Sequence, residues 1–152
     1  MIIDLQTKFS DAQLVTATAI STNVLDLRNA ATPALADEGM SGPEEWIVVQ
    51  VVTTATAGGA ATLVLTIESD ILATLASAPV VHYTSTVIPV ASMVAGFRAV
   101  AVQLPAATPL YKRFLGLRYT IATGPLTAGA FSGYLTMDLQ QNVIYPTGFV
   151  VL

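Results

Sequence analysis

Apolar and polar side chains alternate with a period of two along most of this chain. In residues 113–122, for example, Leu115, Leu117 and Tyr119 alternate with smaller or more polar neighbours. Successive side chains of a β-strand point to opposite faces of its sheet, so this period is typical of half-buried strands. Clusters of Gly, Pro, Ser and Asn separate the alternating segments and favour turns. The pattern predicts about eight strands, at residues 13–19, 23–27, 46–53, 61–69, 81–88, 98–104, 113–122 and 130–139.

The predicted strand at 46–53 differs from the others because its apolar residues are almost consecutive. Its run Ile-Val-Val-Gln-Val-Val is typical of a strand that is covered on both faces. A short segment containing Gly58 and Gly59 then leads to the strand at 61–69. We therefore predict that these two strands form a hairpin.

Several segments fall outside the alternating pattern. Residues 1–12 are predicted to form an N-terminal arm, and the polar, Pro- and Gly-containing residues 28–45 a surface loop. Asp70 is a candidate cap for a short helical turn at 71–76, although a simple loop crossing fits the same residues.

The C-terminal tail, residues 140–152, is apolar and is interrupted by Pro and Gly. Tyr145, Phe149 and Val151 are among its apolar side chains. A tail of this composition promotes aggregation when it is exposed to solvent. We therefore expect it to pack on its own domain or on a neighbouring subunit.

Short strands at close spacing, with no long helical pattern, indicate an all-β fold. We predict one β-sandwich domain over residues 1–152, jelly-roll-like, with the arm and the tail as extensions. Neither a repeat of fixed period nor an interdomain linker is visible in the sequence.

Charged residues are scarce, which raises the question of what covers the surface. They make up 11% of the chain, against 53% hydrophobic residues, whereas soluble domains average about 25% charged residues. The stretch 71–97 has no charged residue and is long enough to span a bilayer, but Pro79, Pro89 and an alternating strand pattern argue against a membrane helix. We expect no membrane partner. We therefore expect other protein surfaces to cover the apolar surface of this chain.

Net charge and cysteine content exclude further classes. A formal net charge of −4 does not provide the positive field that nucleic-acid binding needs. Without cysteine, the chain forms no disulfides, thiolate nucleophiles or cysteine metal sites, which fits folding in a reducing cytosol. No secretory signal is recognisable at the N-terminus.

The residue types that carry catalysis are sparse. His82 is the single histidine, and no carboxylate lies within four residues of it in the sequence. The acidic pairs at 37–38 and 44–45 lie in the predicted loop and are typical of solvated charges that maintain solubility. We expect no enzyme activity, no cofactor and no metal site.

Four cations, together with three residues of the tail, make up the predicted interface: Arg98, Lys112, Arg113, Arg118, Tyr145, Phe149 and Val151. One interpretation of the cations is an electrostatic contact with an acidic partner surface. The other is a solvated strand end whose aliphatic stems cover Tyr111 and Tyr119. The sequence favours both equally.

Several stretches, taken together, also match the pattern of a known family. They are the opening Met-Ile-Ile-Asp, Phe-Ser-Asp-Ala-Gln at 9–13, Ser-Thr-Asn-Val-Leu-Asp-Leu at 21–27, residues 46–52, Ile-Pro-Val-Ala-Ser-Met-Val-Ala-Gly-Phe-Arg at 88–98, and Arg-Tyr-Thr at 118–120 before Leu-Thr-Ala-Gly at 126–129. In these stretches the chain resembles the Bordetella-phage-type family of capsid cement proteins.

The resemblance implies a jelly-roll-like sandwich that binds the outside of an icosahedral phage head and clamps neighbouring major capsid proteins. It also implies a homo-oligomer, either a dimer or a trimer, and no catalytic residues. The alternative is a carbohydrate-binding or other receptor-binding module of a virion, such as a head-fibre or tail component. That class requires exposed aromatic residues beside polar ones.

Overall fold

The computed structural model describes residues 5–27, 45–105, 111–137 and 139, and most of them form β-strands. Two short 3-10 helices cover Leu5–Thr7 and Val90–Ser92. The strands are β1 (Lys8–Leu14), β2 (Ala19–Ile20), β3 (Leu25–Asp26), β4 (Trp46–Ala57), β5 (Thr62–Asp70), β6 (Val80–Thr84), β7 (Ile88–Pro89), β8 (Arg98–Gln103), β9 (Phe114–Ala122) and β10 (Leu126–Thr136).

These strands form two antiparallel sheets. Sheet A has the order β1-β10-β4-β8, and sheet B has the order β2-β9-β5-β6, with β3 also on β9 and β7 also on β5. If β2 and β3 are taken as one interrupted strand, and β6 and β7 as another, each sheet has four strands. Sheet A then contains the first, eighth, third and sixth strands, and sheet B the second, seventh, fourth and fifth. This is the jelly-roll arrangement, so the predicted all-β sandwich is confirmed.

The core lies between the inner faces of the two sheets. Alternate residues of β5 and β9, among them Leu65 and Leu117, are almost fully buried, as the period of two predicted. The Tyr119 ring of β9 packs on the Phe131 ring of β10, with ring centroids 5.6 Å apart. The two sheets are therefore joined by direct packing of apolar and aromatic side chains.

Close approach of the sheets depends on Gly133 of β10. A Cβ atom at this position would lie 2.7 Å from Cδ1 of Leu117 and 3.1 Å from Oγ of Ser10. Beside it, the Ser10 hydroxyl of β1 forms a buried hydrogen bond of 2.5 Å with the Tyr119 hydroxyl. A polar pair at the centre of the sandwich thus ties β1 to the opposite sheet.

The predicted hairpin of the strands at 46–53 and 61–69 is wrong. β4 pairs with β10 and β8 in sheet A, whereas β5 pairs with β9, β6 and β7 in sheet B. The segment containing Gly58 and Gly59 therefore carries the chain from one sheet to the other. A glycine turn between two alternating segments has the same local pattern whether the second strand folds back beside the first or crosses the core.

The predicted N-terminal boundary is also wrong, because residues 8–12 of the predicted arm belong to β1. That strand ends at Leu14, and 16–18 form a bend, so the predicted strand at 13–19 covers the end of one strand and the start of another. β1 has two register shifts against β10, and Ala12 has a φ of 46°. These irregularities remove the simple alternation from which the strand could have been recognised.

Other boundaries shift by smaller amounts. The predicted strand at 81–88 is divided into β6 and β7, and the predicted strand at 130–139 begins earlier and ends earlier, as β10. After Asp70 the chain forms turns and bends without a helix, so of the two interpretations the loop crossing holds. Residues 28–44 of the predicted loop and the tail at 140–152 lie outside the described residues. Across those that are described, no helix is long and apolar enough to cross a membrane.

Candidate interface

The predicted cationic residues lie on both sheets. Arg98 is in β8 of sheet A, opposite Gln50 of β4. Lys112 and Arg113 directly precede β9, and Arg118 lies within it, so these three belong to sheet B. The structure therefore places three of the four cations at or in β9 and separates Arg98 from them.

Arg113 is paired with a carboxylate of the neighbouring short strand β3. Its Nε donates to Oδ1 of Asp26 at 3.0 Å, and its Nη2 donates to Oδ2 at 2.8 Å. The hydrogen bond and the charge of Asp26 raise the pKa of Arg113. The guanidinium also lies 4.8 Å from the centroid of the Phe114 ring.

Arg118 forms a second ion pair on the outer face of sheet B. Its Nε donates to Oε2 of Glu68 at 2.9 Å, and the Glu68 side chain is almost fully buried. Its Nη2 donates to the carbonyl oxygen of Leu75 at 2.8 Å. Arg118 thereby fixes the turn at 71–79 against the sheet, where the Leu75 side chain packs beside Gly116.

The same turn is fixed at its base by the carboxylate of Asp70, whose side chain has no exposed surface. It accepts N–H groups of Ile71 and Ser77, each at 2.7 Å, and of Ala78 at 3.3 Å. Burial alone would raise the pKa of Asp70, but these backbone hydrogen bonds and the charge of Lys112 outweigh it, so the pKa is lowered. Lys112 Nζ lies 4.0 Å from the carboxylate and donates to the Ala78 carbonyl oxygen.

Neither interpretation of the cations describes their geometry fully. Tyr119, which the aliphatic stems of the cations are predicted to cover, lies in the core on the face of β9 opposite Arg118. Asp26, Glu68 and Asp70 lie beside the three cations of sheet B and offset much of their charge. Contact of these cations with an acidic partner remains a prediction.

His82 lies in a packed polar cluster beside β5. Its Nε2 is 2.7 Å from Oγ of Ser69, which also accepts the backbone N–H of Lys112 at 2.9 Å. The imidazole stacks on the Tyr111 ring at a centroid distance of 3.8 Å. Burial lowers the pKa of His82, which favours a neutral ring at neutral pH. The described contacts give this residue a packing role.

Of the predicted acidic pairs, only Glu45 lies within the described residues. One of its carboxylate oxygens is buried without a hydrogen-bond partner, and burial raises the pKa of the group. Within the ranges that the structure describes, no three His, Asp or Glu side chains are grouped closely enough to hold a metal ion. Tyr145, Phe149 and Val151 of the predicted interface lie outside those ranges.

The exposed apolar surface is concentrated in one part of the chain, which sequence reasoning did not assign to an interface. Among the described residues, the exposed large hydrophobic side chains are Leu5, Leu14, Val52, Ile71, Leu72, Val81, Val87, Val94 and Met137. Five of these nine fall in the charge-free stretch 71–97. In the sequence, the signal for this surface is the absence of charged residues from 71–97. That absence was used only to decide whether the stretch is a membrane helix.

Comparison with known proteins identifies a family. A family model described as Bbp16 matches residues 9–135, which extend from β1 to β10 and so include both sheets. No curated protein matches the chain.

Proposed function

The chain belongs to the Bbp16 family, whose namesake is a Bordetella phage protein, and from this premise we propose that it is a capsid cement protein. It binds the outer surface of an icosahedral phage head and stabilises the contacts between major capsid proteins. Its role is structural and requires neither a catalytic residue nor a cofactor. The observation that carries this proposal is the family match over both sheets of the sandwich.

Two physical features support a role in assembly. Charged residues make up only 11% of the chain, and five large apolar side chains within residues 71–97 are exposed. Exposed apolar surface of this kind is stabilised when another protein covers it. A coat of many copies, each touching several capsid proteins, holds tightly even if each single contact is weak.

The test is to mix the purified protein with undecorated capsids and image the mixture by cryo-electron microscopy. We expect density at repeated positions of the capsid lattice. Heads that already carry their decoration are the control and should take up none. Bare shells beside free protein would contradict the cement role.

The same binding assay at high salt separates the two kinds of contact. At 1 M salt the Debye length is about 3 Å, so exposed charges no longer attract each other over distance. Because three of the predicted cations lie beside carboxylates of the same chain, we expect attachment to persist at high salt. Loss of attachment would instead favour the cationic group, including Arg98, as the contact with the shell.

A further inference from the structure

One end of the sandwich is held by a group of contacts that we call the His82 joint. Its members are Glu45, Ser69, His82, Leu104, Pro105 and Tyr111. In sheet A, the N–H of Leu104, directly after β8, donates at 2.7 Å to the carbonyl oxygen of Glu45, directly before β4. Ser69 and His82 belong to sheet B. The Tyr111 side chain connects the two groups, because its ring stacks on His82 and its hydroxyl donates to the Pro105 carbonyl oxygen at 2.7 Å.

A β-bulge in β6 brings His82 into this joint. The pairing with β5 passes from Tyr83 directly to Val81, so the register skips His82 as an extra residue. A bulge redirects its extra side chain away from the regular alternation of the strand. The position of the imidazole is therefore set by its contacts with Ser69 and Tyr111.

The hydrogen bonds of the joint indicate which nitrogen of His82 carries the proton. Among the described residues, two buried side-chain atoms have no hydrogen-bond partner, and both lie in the joint: Nδ1 of His82 and Oε2 of Glu45. Nε2 of His82 has a partner, Oγ of Ser69. A neutral imidazole carries its proton on one nitrogen only, and a buried N–H without an acceptor is costly. The contacts therefore favour the neutral form with the proton on Nε2.

A second proton would give Nδ1 of His82 an N–H group that needs an acceptor. The carboxylates of sheet B beside the joint already have partners. Asp70 accepts three backbone N–H groups and lies 4.0 Å from Nζ of Lys112. Glu68 accepts Nε of Arg118 through both oxygens. Neither carboxylate is available to compensate a charged imidazole.

Glu45 provides the acceptor of the joint that has no partner, but His82 does not contact it in this structure. Burial, and then the charge of Glu45, raise the pKa of Tyr111 to about 12, so the carboxylate lies near the phenol hydroxyl, whereas His82 stacks on the ring. Tyr83, the titratable neighbour of His82 in β6, packs against the core. A hydrogen bond from Nδ1 to Oε2 therefore requires His82 or Glu45 to move, and either movement changes the contact between the sheets.

We propose that the His82 joint is a pH-sensitive contact between the two sheets, which is closed while His82 is neutral and loosens when Nδ1 takes up a proton. Burial lowers the pKa of His82, so the unfolded chain, with a pKa of about 6.5, takes up its proton first as pH falls. The stability contributed by His82 is complete above that pH and decreases as pH falls through the pKa of the folded protein. Burial raises the pKa of Glu45, so protonation of Glu45 acts in the opposite direction. The joint lies within one copy of the chain and does not depend on the cement role.

NMR of the imidazole nitrogens tests the protonation state directly, because His82 is the only histidine of the chain. We expect the shifts of the Nε2–H form at pH 7.5 and a titration midpoint below 6.5. Trp46, the only tryptophan, directly follows Glu45, so its fluorescence should change with the same midpoint. An Nδ1–H form, a midpoint at or above 6.5, or Trp46 fluorescence that does not follow the titration would overturn the proposal.

Urea unfolding at pH 7.5 and pH 5.5 measures the effect on stability. In His82→Gln an amide retains a donor for Ser69 but does not titrate, so this variant should lose less stability on acidification than the parent protein. The unfolding constant of the parent should rise relative to the variant by at most about tenfold for each unit that the measured pKa lies below 6.5.

The matched control is the double variant His82→Gln/Thr84→His, which adds a histidine at an exposed position of the same strand. Its losses should equal those of His82→Gln, because an exposed imidazole titrates alike in the folded and unfolded chain. Equal losses in the parent protein and His82→Gln, or a loss restored by Thr84→His, would contradict the joint as the cause.

Discussion

At the scale of single residues, partners distant in sequence determine what each charged side chain does. Arg113 is 87 positions from Asp26, and Arg118 is 50 positions from Glu68. The sequence identified the cations as a group but offered no means of finding these carboxylates, because ion pairing depends on which strands become neighbours. The buried Ser10 and Tyr119 pair, 109 positions apart, was missed for the same reason.

Tyr119 makes the stability of the protein dependent on pH in alkaline solution. Burial is the main cause that raises its pKa to about 12, with the Ser10 hydrogen bond acting in the opposite direction. In the unfolded chain tyrosine has a pKa of about 10. The unfolded state therefore loses its proton first, and the stability that is complete below pH 10 decreases as pH rises towards 12. At pH 11 the loss from this residue is about 1.4 kcal/mol.

Urea unfolding of the parent protein and of Tyr119→Phe at pH 9 and pH 11 measures this loss. The parent should lose more stability over this interval than the variant. Tyr111, whose pKa is also raised to about 12, first by burial and then by the charge of Glu45, leaves a pH dependence in both proteins. Equal losses in the two proteins would show that Tyr119 is not the group responsible.

At the scale of elements, the sequence predicts strands well and their partners poorly. The faces of β5 and β9 follow the period of two because each strand has one side in the core. The pairing of β4 with β10 joins segments far apart in the chain, and no local pattern encodes it. β1 was missed because its register shifts interrupt the alternation. What the sequence does not reveal is therefore set by contacts between distant segments.

The turn at 71–79 is an element whose shape depends on one carboxylate. In Asp70→Asn a neutral amide replaces the acceptor of three backbone N–H groups, and hydrogen bonds to a charged acceptor are the stronger kind. We expect the amides of Ser77 and Ala78 to exchange with deuterium at least several-fold faster. Asp11→Asn, at an exposed carboxylate, is the control and should leave both rates unchanged. Unchanged rates in Asp70→Asn would mean that other contacts hold the turn.

At the scale of the whole molecule, the sequence predicts a contact for the apolar tail in addition to those of the sandwich. Residues 140–152 are predicted from sequence to pack on a neighbouring subunit or on their own domain. We therefore expect deletion of 142–152 to weaken self-association or attachment to capsids. Sedimentation velocity and capsid binding of the truncated protein measure the two effects separately. Normal decoration of shells by the truncated protein would remove the tail from the interface.

The strand order of sheet A also has a consequence for how the protein is made. β10 is the last strand described, yet it lies between β1 and β4 and supplies the hydrogen bonds that join them. Sheet A is therefore incomplete until translation has passed residue 136, and pairing then has to close a loop across most of the chain. We expect folding to be late, slow and all-or-none. Interrupted synthesis would then release unfolded chains, which are substrates for proteolysis, and not partly folded domains.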